Sequence, residues 1–255
     1  MTIAIVSAKG GVGKSTVTSN IGASLSKDFG KRVLAIDGNI TTPTLGIYVG
    51  ILSQEKTLDD VLHGTMKMSQ AVYIHPCGLH IVPSSLSPKV GYPDPEVLKE
   101  KVQDVKDAYD FILIDGAAGI GREVISSIKA ADEVLIVTNP DMASIVSAIK
   151  IIKISKSIGA QVSGIVLNRV TGGKFEIKKT DVESLCEVRV IAEIPFDNKM
   201  IEGIRKMTPV VLTSPNSPSA KAFKSLAAYL AGIEYEEEKG TIYKLIRKII
   251  GVDKI

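Results

Sequence analysis

The 255-residue sequence contains only two cysteines, three histidines and no tryptophan. Cys77 and Cys186 lie far apart in the chain, so they do not form the paired motif of a metal site. Isolated cysteines of this kind are typical of proteins from a reducing compartment. The histidines show neither the spacing of metal ligands nor a neighbouring nucleophile, so the sequence offers no histidine-based catalytic centre.

Long apolar runs and a strong charge imbalance are also missing. No run reaches the roughly 18 residues of a membrane-spanning helix, and no signal peptide precedes the first predicted strand, which favours a cytoplasmic protein. The net charge of +3 is too small to indicate nucleic-acid binding by itself. With 45% hydrophobic residues, the chain is long enough to bury the core of one large α/β domain.

Short β-branched segments alternate with helical patterns along most of the chain. This order predicts an α/β fold with a mainly parallel sheet and helices on both faces. The predicted strands are residues 2–7, 32–37, 79–83, 111–115, 134–137, 162–167 and 190–194. The predicted helices are residues 15–27, 57–62, 93–106 and a last domain helix from 217 to about 232.

A glycine-rich segment, Ala8–Thr16, directly follows the first predicted strand. A small residue followed by Gly-Lys-Ser at this spacing is typical of the phosphate-binding loop, although Ala8 stands where glycine is more common. Glycines permit the tight bend that aims successive backbone N–H groups at phosphate oxygens. The segment therefore predicts a P-loop NTPase whose nucleotide is held by Gly10, Gly11, Val12, Gly13, Lys14, Ser15 and Thr16.

The residue types in this loop also predict roles. Lys14 would meet the β- and γ-phosphates, and the Ser15 hydroxyl would bind Mg²⁺. Thr16 and the positive end of the following helix would face the α-phosphate.

Lys9 is a second lysine beside the same glycines, where most phosphate loops carry no charge. With it, the segment Lys9–Ser15 resembles the deviant Walker A family of ATPases, which includes MinD, ParA and the nitrogenase iron protein. The resemblance implies that Lys9 reaches the phosphates bound to a partner subunit, so that ATP holds two copies face to face. It covers residues 1 to about 232 in order and is MinD-like in detail.

Two predicted strands end in aspartates, at the edge where parallel sheets bind their ligands. Asp115 follows four apolar residues and matches the Walker B position of the family, so it is predicted to hold Mg²⁺ together with Ser15 and Asp37. The segment Gly116–Gly121 resembles the family's switch II, with Ala117 in place of a proline. Loss of that proline predicts a softer loop.

Asn39 lies in the predicted switch I, where MinD-like proteins have an aspartate that orients the attacking water. An amide can accept a hydrogen bond from water but supplies no negative charge. Because phosphoryl transfer depends on positioning and electrostatics, this residue predicts slow hydrolysis and a long-lived ATP dimer without loss of ATP binding. Lys9, Lys14 and Asn39 form the predicted catalytic set.

The resemblance also implies the contacts to the base. Asn168 follows a predicted strand and matches the family asparagine that reads the adenine edge, while Pro195 and Phe196 resemble the loop on the other side of the ring. An asparagine after a strand is also an ordinary turn residue, so a structural role for Asn168 is an open alternative. Asp141 is predicted as a helix N-cap.

Beyond the predicted ATPase domain, residues 1–232, an acidic linker at 233–240 precedes an amphipathic segment at 241–255. Its apolar residues recur at the spacing of one helix face, and its lysines and arginine lie off that face. Such a helix lies in a membrane interface beside anionic head groups. It resembles the membrane-targeting helix of MinD, although packing on its own domain or on another protein is the alternative. The apolar face is Ile242, Leu245, Ile246, Ile249 and Ile250.

These features together predict a MinD-like ATPase with ATP and Mg²⁺ as cofactors. It would dimerise with ATP, bind the anionic inner face of the cell membrane and position cell-division or other machinery through an unidentified activator or cargo protein. A ParA-like DNA-partitioning ATPase is the first alternative, and the apolar tail face argues against it. A Mrp-type iron–sulfur carrier is the second, and the missing cysteine pair argues against that.

Overall fold

The structure, a computed structural model, describes residues 1–87 and 93–235. The described part contains one sheet whose strands begin and end close to the predicted positions. They are β1 (Thr2–Ser7), β2 (Val33–Gly38), β3 (Tyr73–Ile74), β4 (His80–Val82), β5 (Phe111–Ala118), β6 (Glu133–Thr138), β7 (Gln161–Val170) and β8 (Val190–Pro195). Their order across the sheet is β3-β4-β2-β5-β1-β6-β7-β8.

All neighbouring strands of this sheet pair in parallel except β3 and β4, which pair antiparallel. The predicted α/β fold with a mainly parallel sheet is therefore confirmed. Strand β3 was not predicted, because two residues are too few to show the alternation that marks a strand. Strand β1 occupies the centre, so the loop that follows it opens at the middle of the carboxyl edge.

Helices cover both faces of the sheet. They are α1 (Lys14–Lys27), α2 (Leu45–Tyr48), α3 (Leu58–Leu62), α4 (Leu98–Gln103), α5 (Arg122–Lys129), α6 (Met142–Ser157), α7 (Lys179–Cys186), α8 (Asn198–Arg205), α9 (Val210–Thr213) and α10 (Pro218–Leu230). Ser217 caps α10 by accepting a hydrogen bond from the Ala220 N–H, and Asp141 caps α6 as predicted. Within the described residues, no helix is both long and apolar enough to cross a bilayer.

The prediction of one helix over residues 93–106 was wrong in extent. Asp94 accepts a hydrogen bond from Glu96 N and starts a 3₁₀ turn, after which only α4 is α-helical. The chain leaves helical geometry at Val105, whose φ is −120° and whose side chain is buried in the core with residues of β2 and β5.

Alternating side chains of each strand build the core on opposite faces of the sheet. In β1, Ile3 and Ile5 pack in the cluster that includes α1 and α10, whereas Ala4 and Val6 pack with α5, α6 and α7. All four side chains are fully buried, as expected for a strand covered on both sides.

The predicted switch II begins as a strand rather than a loop. Strand β5 continues through Gly116 to Ala118, which pairs with Ser7 beyond a register shift. A Cβ at Gly116 would lie 2.9 Å from Val6 Cγ1, so only glycine lets these strands stay in contact. The first residues of the predicted switch II are therefore strand, and the turn begins at Gly119, with φ +100°. The softness of that turn stays a prediction.

The last described residue, Tyr235, packs its ring edge-on against Phe29, with centroids 5.9 Å apart. Phe29 lies just past the end of α1, which begins at the phosphate loop. A helix of this length spans about 21 Å, so the chain reaches Tyr235 far from the loop. The predicted linker beyond Tyr235 and the predicted amphipathic tail lie outside the described residues.

Candidate functional site

The glycine-rich loop joins β1 to α1 and contains two left-handed glycines, Gly11 (φ +76°) and Gly13 (φ +102°). Gly13 is the N-cap of α1 and supplies no side chain, so the first N–H groups of the helix are left for a ligand. A Cβ on Gly13 would also lie 2.3 Å from Asn168 Nδ2. The loop therefore has the open N–H groups and close backbone approach that fit a bound phosphate.

Lys14 begins α1 and is buried, with 9% of its surface exposed. Burial lowers the pKa of its ammonium group, while the nearby carboxylates of Asp115 and Asp37 act in the opposite direction. A buried cation between carboxylates at the mouth of this loop has the charge needed to meet phosphate oxygens.

Asp37 and Asp115 are register partners on the neighbouring strands β2 and β5, so their carboxylates enter the site side by side. Asp37 is fully buried, and burial together with the charge of Asp115 raises its pKa well above the usual range. Its Oδ2 accepts hydrogen bonds from the backbone N–H groups of Thr44 and Leu45, at 3.0 and 2.9 Å. Asp37 therefore fixes the backbone of switch I at Thr44 and Leu45.

Asp115 has an incompletely bonded carboxylate. Its Oδ1 accepts a hydrogen bond from Thr18 Oγ1 at 3.2 Å, whereas its buried Oδ2 has no partner among the described residues. Burial raises the pKa of Asp115 to about 6, against the lowering effect of Ser15, Lys14 and Thr18. The site therefore offers the carboxylates of Asp37 and Asp115, one of whose oxygens has no partner within the described chain, beside the hydroxyl of Ser15. These oxygen ligands fit Mg²⁺.

Asp115→Asn is expected to stabilise the nucleotide-free protein near pH 7 by about 2–3 kcal/mol. An unfolded aspartate titrates near pH 4, whereas folding raises the pKa of Asp115 to about 6. The folded protein therefore binds more protons between about pH 4 and 6, and its stability falls as the pH rises through that range. Urea unfolding of both proteins from pH 4 to pH 8 tests this, and parallel stability curves would contradict it.

Asn39 turns its amide towards its own loop in switch I. Its Oδ1 accepts hydrogen bonds from Thr42 N and Thr42 Oγ1, both at 3.2 Å, and its Nδ2 donates to Thr42 O. Thr41 Oγ1 donates to Glu123 Oε1 and so joins switch I to α5. A cleft of about 400 Å³ separates the two switch regions and is lined by Asn39, Thr41, Thr42, Pro95, Ala117, Ala118, Gly121, Arg122, Glu123 and Val124.

Lys9 extends away from its own phosphate loop. Its Nζ donates to Ser144 Oγ at 2.9 Å and forms an ion pair with Asp141 Oδ1 at 3.3 Å. The side chains of this pair are 43% and 49% exposed. A surface pair of this kind contributes about 0–1 kcal/mol, so Lys9 can be redirected at small cost.

Asn168 is fully buried at the end of β7 and donates from Nδ2 to Val12 O at 2.7 Å. Its Oδ1 has no partner in the described part of the chain. The Asn139 amide, in the orientation that satisfies its neighbours, donates to the same Val12 oxygen and to Asn168 O. The structure therefore places Asn168 directly against the phosphate loop, and contact with adenine stays a prediction.

Pro195 ends β8 beside β7, and Phe196 follows it. Phe196 N donates to Val170 O at 2.8 Å, and its side chain is 52% exposed. Asp197 then caps α8 through Lys199 N at 2.8 Å and accepts from Ser219 Oγ at 2.7 Å in the first turn of α10. The predicted base-binding loop is thus tied to the start of the last helix.

Several residues of the site were not singled out from the sequence. Thr18 supports Asp115, Thr44 shares a hydrogen bond with Ser15, and Ser144 holds Lys9. Thr18 could have been found, because it lies one helical turn after Lys14. The other two depend on chain segments that only the fold brings together.

Comparison with known proteins identifies the family of this site. A family model described as ParA, an NUBPL iron-transfer P-loop NTPase, matches residues 1–231. The chain belongs to the ParA/MinD family of P-loop ATPases. The predicted family is therefore confirmed, and as a member this ParA/MinD ATPase takes ATP and Mg²⁺ as cofactors.

Relatives of this ParA/MinD ATPase match along nearly its whole length. An uncharacterized ATP-binding protein of Methanocaldococcus jannaschii is 36% identical over 98% of this chain and 96% of its own. The crystal structure of the cell division ATPase MinD of Pyrococcus furiosus is 35% identical, with a TM-score of 0.85 over 91% of this chain and 98% of that one. MinD of Pyrococcus horikoshii, complexed with Mg-ADP, is 34% identical, with a TM-score of 0.84 over 93% and 100%.

Proposed function

We propose that this ParA/MinD ATPase is a MinD-like switch that dimerises face to face on Mg-ATP and is then recruited to the inner face of the membrane. There it would position cell-division or other machinery, and slow hydrolysis would release it. The observation that carries the proposal is the difference between its two loop lysines. Lys14 is buried in its own site, whereas Lys9 is half-exposed and held by Asp141 and Ser144.

The geometry of Lys9 supports a role towards a second copy. Its ammonium group rests at the start of α6, which follows β6 at the carboxyl edge of the sheet. Strand β6 lies two positions from β5 in the strand order. Charge-assisted hydrogen bonds to phosphate contribute roughly 1.5–3 kcal/mol each, which exceeds the about 0–1 kcal/mol of an exposed ion pair. A triphosphate on a facing subunit would therefore draw Lys9 away from Asp141.

Membrane binding would follow from the pairing of two tails. Each large apolar side chain of the amphipathic segment at 241–255 would gain about 1.5–3 kcal/mol if fully buried, but ordering costs roughly 1 kcal/mol per residue. One tail is therefore marginal. Two tails in one dimer act through effective concentration, which adds a factor of about 10² to 10⁴ in avidity.

Sedimentation with anionic liposomes tests the proposed function. The full chain is expected to pellet with ATP and Mg²⁺ and to stay largely in solution with ADP. A chain that ends after Gly240 is the matched control, since it retains the described ATPase and loses the apolar face. Equal pelleting of the two chains would rule out the membrane role, and salt-sensitive retention on DNA with ATP would favour the partitioning alternative.

Asn39→Asp is expected to raise the steady-state kcat for ATP by about 10-fold or more and to leave ATP affinity within about twofold. The added carboxylate would supply the negative charge and the strong acceptor that the amide lacks. Phosphate release at saturating ATP measures the change. Asn39→Ala is the control, because it also breaks the Thr42 contacts but adds no charge. A kcat for Asn39→Asp no higher than wild type would contradict the proposal.

The matched family description names iron transfer, so an iron-carrier function is the second candidate. Burial raises the pKa of both cysteine thiols, Cys77 and Cys186, which disfavours the thiolate that binds iron. Among the described residues, no group of three or more histidine, cysteine, aspartate or glutamate side chains is placed to hold a metal ion. Anaerobic reconstitution with iron and sulfide, followed by absorbance spectroscopy, separates the two functions.

A further inference from the structure

Phe175 is a large apolar side chain left almost entirely in solvent. Its exposed fraction is 92%, the highest among the large hydrophobic residues that the structure describes. It follows β7 in the short loop of residues 171–176, on the carboxyl edge of the sheet that also carries the phosphate loop. The ammonium group of the neighbouring Lys174 lies 5.5 Å from the centroid of its ring.

The loop that carries Phe175 has a defined shape. The Glu176 carboxylate accepts hydrogen bonds from the backbone N–H groups of Thr171 and Gly172, at 2.8 and 2.9 Å, and from Thr171 Oγ1 at 2.8 Å. Burial alone would raise the pKa of Glu176, but these bonds outweigh it and the pKa is lowered. The backbone of the loop that presents the ring is thus ordered in advance, which reduces the ordering cost of binding.

The same loop is bonded to the segment that holds Lys9. Ile177 N donates to Pro140 O at 3.0 Å. The residue after Pro140 is Asp141, which makes the ion pair with Lys9. Strand β7 is two positions from β1, or about 10 Å along the edge of the sheet. Met142, 59% exposed, lies two residues beyond Pro140. Met142 and Phe175, both exposed, therefore lie on two segments joined by a backbone hydrogen bond, and one of these segments holds the lysine that would enter a second subunit.

A lipid surface is a less suitable partner for Phe175 than a second copy of the chain. Tyr235 is the last described residue and packs on Phe29. Phe29 lies at the end of α1 that is far from the phosphate loop. Phe175 lies on the opposite edge, beside Lys9, and its loop is continuous with the surface proposed to face a second copy.

We propose that Phe175 is a docking residue that becomes buried against a second copy of this chain when ATP brings two subunits face to face. This inference rests on the proposed function, since it requires the ATP dimer. In a two-fold dimer each contact occurs twice, so both copies of Phe175 lose their exposure together. Its preformed loop would add apolar contact and orientation to the charge contact of Lys9.

Phe175→Trp tests the proposal directly, because the chain has no other tryptophan. Emission is recorded with Mg-ADP, with Mg²⁺ and a non-hydrolysable ATP analogue, and with anionic phospholipid vesicles. We expect a blue shift and protection from iodide quenching with the ATP analogue only. Tyr229→Trp is the control, since Tyr229 is also exposed, at 57%, and lies on α10 near the opposite edge. Its emission is expected to stay unchanged with the ATP analogue.

Phe175→Ala supplies the second measurement. We expect the dimer Kd with the ATP analogue to rise about 100-fold, since each dimer loses two aromatic contacts worth roughly a factor of 10 each. ATP affinity of the monomer and thermal stability would stay at wild-type values because the side chain is exposed.

The outcomes separate this inference from the proposed function. A wild-type chain that stays monomeric by light scattering with the ATP analogue overturns the proposed function and the docking residue together. If the wild-type chain dimerises but the emission of the Phe175→Trp variant is unchanged, the docking residue alone is overturned. A shift with Mg-ADP would assign the ring to the base of its own subunit, and a shift with vesicles alone would assign it to lipid; either result overturns the proposal.

Discussion

Lys9→Ala is expected to abolish ATP-dependent dimerisation while ATP binding to the monomer stays close to wild type. In the structure the Lys9 ammonium group rests on Asp141 and Ser144. Its loss would remove two cation–phosphate contacts from each dimer, which at roughly 1.5–3 kcal/mol each weakens the dimer by a factor of about 10² to 10⁴. Light scattering with Mg²⁺ and a non-hydrolysable ATP analogue measures this change.

Asp141→Asn is the matched control for that variant. Asparagine keeps the N-cap of α6 but breaks the ion pair that holds Lys9 in the monomer. Because that pair is exposed and contributes about 0–1 kcal/mol, and each dimer contains two of them, the dimer is expected to be as tight as wild type or up to about 30-fold tighter. Normal ATP-dependent dimerisation of Lys9→Ala would remove the basis of the face-to-face model.

Gly13→Ala is expected to lower ATP affinity by at least about 100-fold and to destabilise the nucleotide-free protein by about 2–4 kcal/mol. The backbone at Gly13 has φ +102°, and the added Cβ would lie 2.3 Å from Asn168 Nδ2. Relief would require the loop or Asn168 to move, and either movement disturbs the N–H groups that open α1. Titration with a fluorescent ATP analogue and urea unfolding measure the two effects.

Two other glycines in the loop provide graded controls. Gly11→Ala meets the left-handed backbone, φ +76°, but no atom within 4 Å, so it carries strain without a clash. Gly10→Ala would place its Cβ 3.8 Å from Ala118 Cβ, an ordinary contact. We expect stability to fall in the order Gly10→Ala, Gly11→Ala, Gly13→Ala. The double variant Gly13→Ala with Asn168→Ala removes the clash and would recover part of the loss; equal stability of all three single variants would contradict this account.

The fold could be predicted because its signals are local. Apolar β-branched segments alternate with helical patterns, and this order fixes a parallel sheet before any long-range contact is known. The sequence could not reveal that β5 runs through Gly116 to Ala118, because that extension depends on the close approach of Val6 across the sheet. The early end of α4 is followed by non-helical backbone at Val105, φ −120°, which no local pattern in the sequence reveals.

The candidate site was predictable for its motif residues and less so for their partners. The loop spacing identified Lys14 and Ser15, and strand ends identified Asp37 and Asp115, which the structure brings side by side. Whether Asn168 reads a base or supports Val12 depends on which atoms lie beside it after folding. The resting place of Lys9 on Ser144 depends in the same way on strand order, which no local pattern specifies.

The length of α10 has a practical consequence. One end of this helix is fixed beside Asp197 at the predicted base loop, and the chain beyond its other end reaches Tyr235 against Phe29. Thirteen helical residues span about 20 Å, so Tyr235 lies away from the predicted base loop. We expect this end of the subunit to accept an exchanged anchor, a dye or a surface tether while ATP is still bound normally. Foreign cargo could then be attached at this end of the subunit and brought under the control of the bound nucleotide.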